Sequence, residues 1–283
     1  MTAKTFLDVY SDVLYTGKLV SPRGMQVMEV ENYQFTMAPY ERFTSFKARK
    51  LNLDYLKWEF LWYLRGDPYD EQIVEGAQMW TDIQQEDGRF FSNYGQYWFG
   101  QQGGFKWVID ELMHDKDSRR AVIPMLNESH LFLDNKDIVC TESISFRIRH
   151  NQLSMSVNMR SQDLIWGMTN DVACFSFLQE MVCVALRGMS YPDLVLGNYN
   201  HKLDSLHVYE RHFDTLRELV DHGSAGHYDI PCPVIETPIE VYALINYAEK
   251  LTNDNFSMAL EALKQSAFFN WLRENKYGSD LEL

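Results

Sequence analysis

Apolar residues recur along this chain in two periods, and those periods predict its elements. Phe6, Val9, Tyr10, Val13 and Leu14 fall at helical spacing within residues 2–16, and Gly17 is placed to stop the helix. After a Pro22-Arg23-Gly24 loop, the run through Met37 alternates as a strand pair turning near Glu31-Asn32. Residues 51–65 are a strongly apolar helix ending at Arg65-Gly66, and a helical pattern continues over 70–85 through Trp80. Asp87-Gly88 and Tyr94-Gly95 are turn signals, and a helix follows near 104–114. An apolar strand begins after Asp117-Ser118-Arg119-Arg120. From Cys140 the pattern is a hairpin: one alternating strand, a turn at His150-Asn151-Gln152, and a return strand ending at Arg160-Ser161. Asn170-Asp171 opens a buried helix over 171–187. A strand at 194–197, a strand carrying His207 and Tyr209, a helix from Phe213, and a helix at 255–272 complete the reading, with a polar tail.

That hairpin is where the chemistry gathers. It brings a thiol, a guanidinium and two carboxylates, Asp163 and Asp171, toward one end, an arrangement suited to nucleophilic attack on an anionic substrate. Composition narrows the field. Apolar residues are 46% of 283, enough for a large core in one domain spanning 1–283. Forty acidic against 26 basic residues give a net charge of −14, which argues against nucleic-acid binding, so a phosphate site must be a local arginine cluster. No run of 18 apolar residues and no signal-like start occurs, and the expectation is a soluble cytoplasmic protein without membrane contact. The four cysteines show no metal-ligand spacing, so no metal is expected. Cys174 and Cys183 lie in an apolar helical pattern and read as buried small hydrophobes. Cys140, between an acidic loop and Thr141-Glu142, does not.

Other candidates carry two readings each. Glu59 sits between Trp58 and Phe60: it either faces solvent or is buried with a raised pKa suited to proton transfer. Arg23 is a solvated loop residue or an anion ligand. Arg119 and Arg120 cannot both point inward from a strand, so they form an exposed basic edge or a phosphate clamp. His207 and Tyr209 share a strand face, as packing residues or as a sugar-hydroxyl site. Asp171 is well placed to cap its helix.

Six motifs in order, EFLWYLRG with Glu59, SNYGQ with Tyr94, DSRR, Cys140-Thr141, NMRSQDLIWGMTND and SLHVYERHF, resemble the thymidylate synthase superfamily, and within it the bacteriophage deoxycytidylate hydroxymethylases. The resemblance implies an α+β fold: a thymidylate-synthase-like mixed β-sheet layered with helices, dimerising through the sheet. It implies Cys140 as the nucleophile at C6 of a pyrimidine nucleotide, with Arg160 helping to keep it thiolate. Arg160, Ser161 and Arg23 would hold the phosphate, joined by Arg119 and Arg120 from the other subunit of a homodimer. His207 and Tyr209 would hold the deoxyribose, Asp163 and Trp80 the folate, and Glu59 and Tyr94 would order water near C4 and C5.

Departures from the synthases sharpen this. Asp171 stands where they carry an asparagine that reads uracil. A protonated carboxyl donates to N3 of cytosine and accepts from its amine, so Asp171 should select cytosine. Val139-Cys140-Thr141 replaces the synthases' Pro-Cys-His, and the C-terminal Leu-Glu-Leu lacks their small apolar ending. The implied reaction uses dCMP and 5,10-methylenetetrahydrofolate: Cys140 adds to C6, C5 takes the one-carbon unit, and water placed by Glu59 completes 5-hydroxymethyl-dCMP. The alternatives are a CMP hydroxymethylase, a dUMP-using synthase or hydroxymethylase, and an inactive homologue.

Overall fold

A computed structural model describes residues 3–38, 41–100, 103–132, 134–228, 230, 233–248, 261, 263–274 and 276–277. A mixed sheet organises the chain. Its strands are β1 (Lys18–Val20), β2 (Val27–Met37), β4 (Val122–Pro124), β5 (Thr141–Arg149), β6 (Gln152–Met159), β7 (Gln162–Asp163) and β8 (Val195–Tyr209). They run in the order β1-β2-β8-β6-β5-β4, with β7 also paired to β8. β6 and β7 lie parallel to β8, and the other neighbours are antiparallel. A separate two-stranded ladder joins β3 (Ser45–Phe46) to β9 (His227–Tyr228).

Alternation gives the main sheet two unlike faces. Ile144, Phe146 and Ile148 of β5 and Leu153, Met155 and Val157 of β6 are sealed on the side where α6 (Gly167–Met189) packs. Ser143, Ser145, Ser154 and Ser156 lie between them and so point to the other side. Behind α6 come α2 (Leu53–Arg65), α5 (Gly104–His114) and α8 (Pro238–Ala248). α6 is long and apolar enough to cross a membrane, yet most of it is buried inside the fold, as a core helix is. The α+β expectation holds.

Local chemistry accounts for the termini. Thr5 and Asp8 cap α1 (Phe6–Thr16) reciprocally. Asn52 accepts from the Tyr55 N–H to start α2, and Gly66, at φ 60°, ends it in the left-handed conformation that favours glycine. His150 (φ 49°) and Asn151 (φ 59°) both take positive φ, the geometry of a two-residue hairpin turn between β5 and β6.

Several expected boundaries move. No turn occurs at Glu31-Asn32: β2 continues through it, Asn32 absorbing a φ of 51°, because β8 carries the pairing on from Glu31↔Ser205 to Tyr33↔Leu203. The separate strands expected at 194–197 and 207–209 are one strand, β8, for the same reason. The helix expected over 70–85 divides at Gly76 into a 3-10 turn (Glu71–Glu75) and α3 (Met79–Ile83). A Cβ at Gly76 would lie 3.0 Å from Trp58 and Tyr55. α6 begins at Gly167, so Asp171 lies inside the helix and caps nothing. Of the helix expected at 255–272, residues 255–260 lie outside the described set, while Ser266 caps a short helix, α9 (Ala267–Arg273). Cys232 and residues 278–283 of the tail also lie outside it.

Candidate active site

The sheet brings the candidates together at one edge. Cys140 immediately precedes β5, and its carbonyl accepts from the Arg160 N–H at 2.9 Å, which places the thiol opposite the end of β6. β7 then pairs Gln162 with Leu206 and Asp163 with His207. Arg160, Ser161 and Asp163 therefore flank His207 and Tyr209, residues more than forty positions away in sequence. The helices add the carboxyls from the other side. Asp171 lies one turn into α6, and Glu59 lies in the middle of α2.

Arg160 is committed to the nucleophile's strand. Its Nε donates to the Val139 carbonyl at 3.0 Å, and Nη2 donates to the Ile138 carbonyl and lies 3.7 Å from Cys140 Sγ. Burial pushes the half-buried Cys140 thiol up, the charges of Asp171 and Asp137 add to this, and Arg160 and Arg23 pull it down. The net shift is upward, so Arg160 offsets the desolvation without overcoming it. Arg160 thus pulls toward the thiolate, and burial outweighs that pull.

Glu59 is buried, which settles its two readings. Its Oε1 accepts from the Tyr55 hydroxyl at 2.9 Å, and Oε2 is sealed without a hydrogen-bond partner. Desolvation first, and then the charge of Asp171, raise its pKa to about 8 against the pull of Tyr55 and Tyr63. Asp171 is pushed up to about 7, again chiefly by desolvation, while the Gln162 amide donating to Oδ2 at 2.8 Å opposes the shift. Two carboxyls with raised pKa values and a thiol thus share one low-dielectric space. Each one's charge would raise the cost of another's.

Tyr94 closes this space, stacked between Tyr63 (5.4 Å) and Phe175 (5.7 Å) and within electrostatic reach of Cys140 and Asp171. Gly95 lets its loop sit on α2, since a Cβ there would stand 1.6 Å from the Tyr63 carbonyl oxygen. Arg23 is exposed at φ 52° in the Pro22–Gly24 turn, yet its charge reaches both Cys140 and His207, so the fold draws it to the cluster. His207 is lowered by burial, hence neutral near pH 7, with Tyr209 packed edge-on at 5.2 Å.

Two groups of candidates are placed otherwise. Arg119 and Arg120 precede β4 and are exposed, Arg120 lying 3.6 Å from Glu111. Because Val122 pairs with Ser145, they are roughly 20 Å along β5 from Cys140 at about 3.3 Å per residue. Within one chain they touch nothing in the site. Trp80 is buried against Trp62 and Phe90, and its indole donates to the Tyr55 hydroxyl at 3.0 Å. It supports Glu59 through Tyr55. Asp163 uses Oδ1 to accept from the Ile165 and Trp166 N–H groups, and beside it the Trp166 ring is 52% exposed between Arg49 and His212.

Sequence reasoning missed four contributors. Tyr55 and Tyr63 stand one helical turn on either side of Glu59, a spacing visible in the sequence. Asp137 had no such signal: it is buried and accepts from the Ser92 N–H at 2.8 Å and from the Ser92 hydroxyl. It thereby ties the Tyr94 loop to the segment whose carbonyls hold Arg160. Gln162, between Ser161 and Asp163, carried no signal of its own. No group of described residues could hold a metal ion.

Comparison with known proteins agrees with this geometry. The family model for thymidylate synthase matches residues 4–248. Two curated proteins, the deoxycytidylate 5-hydroxymethyltransferases of Enterobacteria phages T4 and T2, are each 31% identical over 180 residues, covering 61% of this chain and 72% of theirs. With the family match running from α1 through α8, this chain belongs to the thymidylate synthase family.

Proposed function

We propose that the protein is a folate-dependent one-carbon transferase that hydroxymethylates C5 of dCMP. The observation that carries the base choice is Asp171, a carboxyl raised to about 7 and fixed by Gln162 within electrostatic reach of Cys140 and Glu59. A neutral carboxyl matches cytosine, donating to N3 and accepting from the amine. Against uracil the same group meets a donor at N3 and an acceptor at O4, at a cost of about 1–3 kcal/mol per mispaired group. Similarity to the two phage hydroxymethyltransferases points the same way.

The residues divide the work. Arg160, Ser161 and Arg23 supply charge and donors for the phosphate, and His207 with Tyr209 faces the sugar. A bound phosphate between Arg160 and Arg23 fixes the pyrimidine over Cys140. The thiol gives its proton to solvent and adds as the thiolate to C6, which turns C5 into a carbon nucleophile. 5,10-Methylenetetrahydrofolate, when bound, supplies a carbon at the oxidation level of formaldehyde. The half-exposed Trp166 face beside Asp163 fits a flat heterocycle, Asp163 being suited to accept from its N–H groups. Glu59, protonated at rest and held by Tyr55, gives that proton to the amine nitrogen leaving the new carbon and then, as a carboxylate, takes one from the water that adds there, while C5 gives up its hydrogen as a proton. Cys140 then leaves C6.

The active unit in this reading is a homodimer formed through the serine-rich sheet face, with Arg119 and Arg120 completing the partner's phosphate site. Their exposure and their distance from the chain's own Cys140 support it. Incubation with methylenetetrahydrofolate and each of dCMP, CMP and dUMP, followed by product mass, tests the assignment. Hydroxymethyl-dCMP is expected. Thymidylate from dUMP with formation of dihydrofolate would overturn it, and preferential turnover of CMP would replace the substrate.

A further inference from the structure

Gln162 is 3% exposed, and its Nε2 donates to Asp171 Oδ2 at 2.8 Å while its Oε1 is sealed off with no partner. The amide is held there on purpose-built ground. β7 fixes its backbone against Leu206, and Gly167 leaves the space it occupies, since a Cβ at Gly167 would lie 2.6 Å from Gln162 Nε2. An amide oxygen buried unpaired costs about 1–3 kcal/mol, so the site carries an open demand for a donor.

We infer that Gln162 is a specificity-determining residue that orients the proton of Asp171 and offers a second acceptor to the exocyclic amine of cytosine. This rests on the base reading proposed above. The oxygen that accepts from Nε2 stays the carbonyl oxygen of a neutral Asp171, leaving Oδ1 to carry the proton. Oδ1–H then donates to N3, and Oδ2 uses its other lone pair for the amine. Gln162 Oε1, on the same amide group, prefers an N–H to the O4 of uracil. Both effects favour cytosine, and neither requires Gln162 to take part in bond making.

The test is titration calorimetry of the full-length protein with dCMP and with dUMP, without folate, from pH 5 to 9. Gln162→Met preserves length and removes both polar atoms. The preference for dCMP is expected to fall about tenfold, the worth of one such hydrogen bond. The pH at which dCMP affinity declines is expected to rise, because the amide that lowers the Asp171 pKa is gone. A folded Gln162→Met protein with unchanged preference and unchanged pH limb overturns the inference. Should that variant not fold, Gly167→Ala decides: its methyl displaces the amide, so a wild-type preference there is equally fatal. A wild-type protein that does not favour dCMP sinks the base reading itself. A preference that inverts in Asp171→Asn yet survives Gln162→Met sinks only the role of Gln162.

Discussion

Glu59→Gln should make the protein's stability less sensitive to pH while abolishing turnover. The folded-state pKa of Glu59 is about 8 against an ordinary value of 4.5, so the native state holds a proton that the unfolded chain releases. Between those two values the unfolded state binds fewer protons, and stability must fall as pH rises. From pH 5 to pH 7, two units at 1.36 kcal/mol each, less the residual titration at both ends, give a loss of about 2.5 kcal/mol from this group. The amide of glutamine cannot ionise, keeps the volume, and still accepts from Tyr55. Thermal melts at pH 5, 6, 7 and 8 should therefore show the wild type losing about 5 °C more than Glu59→Gln over the first two units, at roughly 2 °C per kcal/mol for a chain of this size. Asp171, raised to about 7, adds its own slope in the same direction to both proteins, and because its charge also raises Glu59 the comparison reads the pair as coupled. The pairing of outcomes matters: the variant should bind nucleotide and yet give no hydroxymethylated product. Parallel melting curves across this range would show that Glu59 is ionised in the fold, and its assignment as a proton carrier would go with them.

Other expectations follow from single contacts. Alkylation of Cys140 by iodoacetamide, read by mass, should have a midpoint above that of a free thiol, and Arg160→Met should move it higher; a midpoint below it would contradict the dominance of burial. Asp137→Ala should cost about 1–3 kcal/mol of stability by leaving the Ser92 donors unpaired, and should reduce turnover more than Asp137→Asn, which still accepts from them. Gly95→Ala should fail to give soluble, folded protein, since its methyl meets the Tyr63 carbonyl at 1.6 Å; a normal melt would refute that packing. Mixing inactive Cys140→Ser with inactive Arg119→Ala/Arg120→Ala should restore activity if the arginines are shared across a dimer. No recovery after subunit exchange would remove them from the phosphate site.

The amino-acid sequence determined a good deal of this protein unaided. Periodicity located α1, α2, α5 and the β5–β6 hairpin, because each is built from local pattern with a local stop: Gly17, Gly66, or the His150-Asn151 turn. The motif order placed Cys140, Glu59, Arg160 and Asp171 in one site, and Tyr55 and Tyr63 were legible at four residues on either side of Glu59. Where the pattern misled, a neighbour overrode it. β2 runs straight through Asn32 because β8 supplies the hydrogen bonds that a turn would forfeit, and the 70–85 helix breaks where Gly76 meets Trp58 and Tyr55. Protonation states were beyond the sequence altogether. Whether Glu59 faces water, and which way the Cys140 pKa moves, depends on burial and on charges brought in by distant strands. Asp171 shows the division most sharply. Its chemical type was readable from position alone, but its place inside α6, its raised pKa and its tie to Gln162 exist only once β7, Gly167 and the helix are packed together.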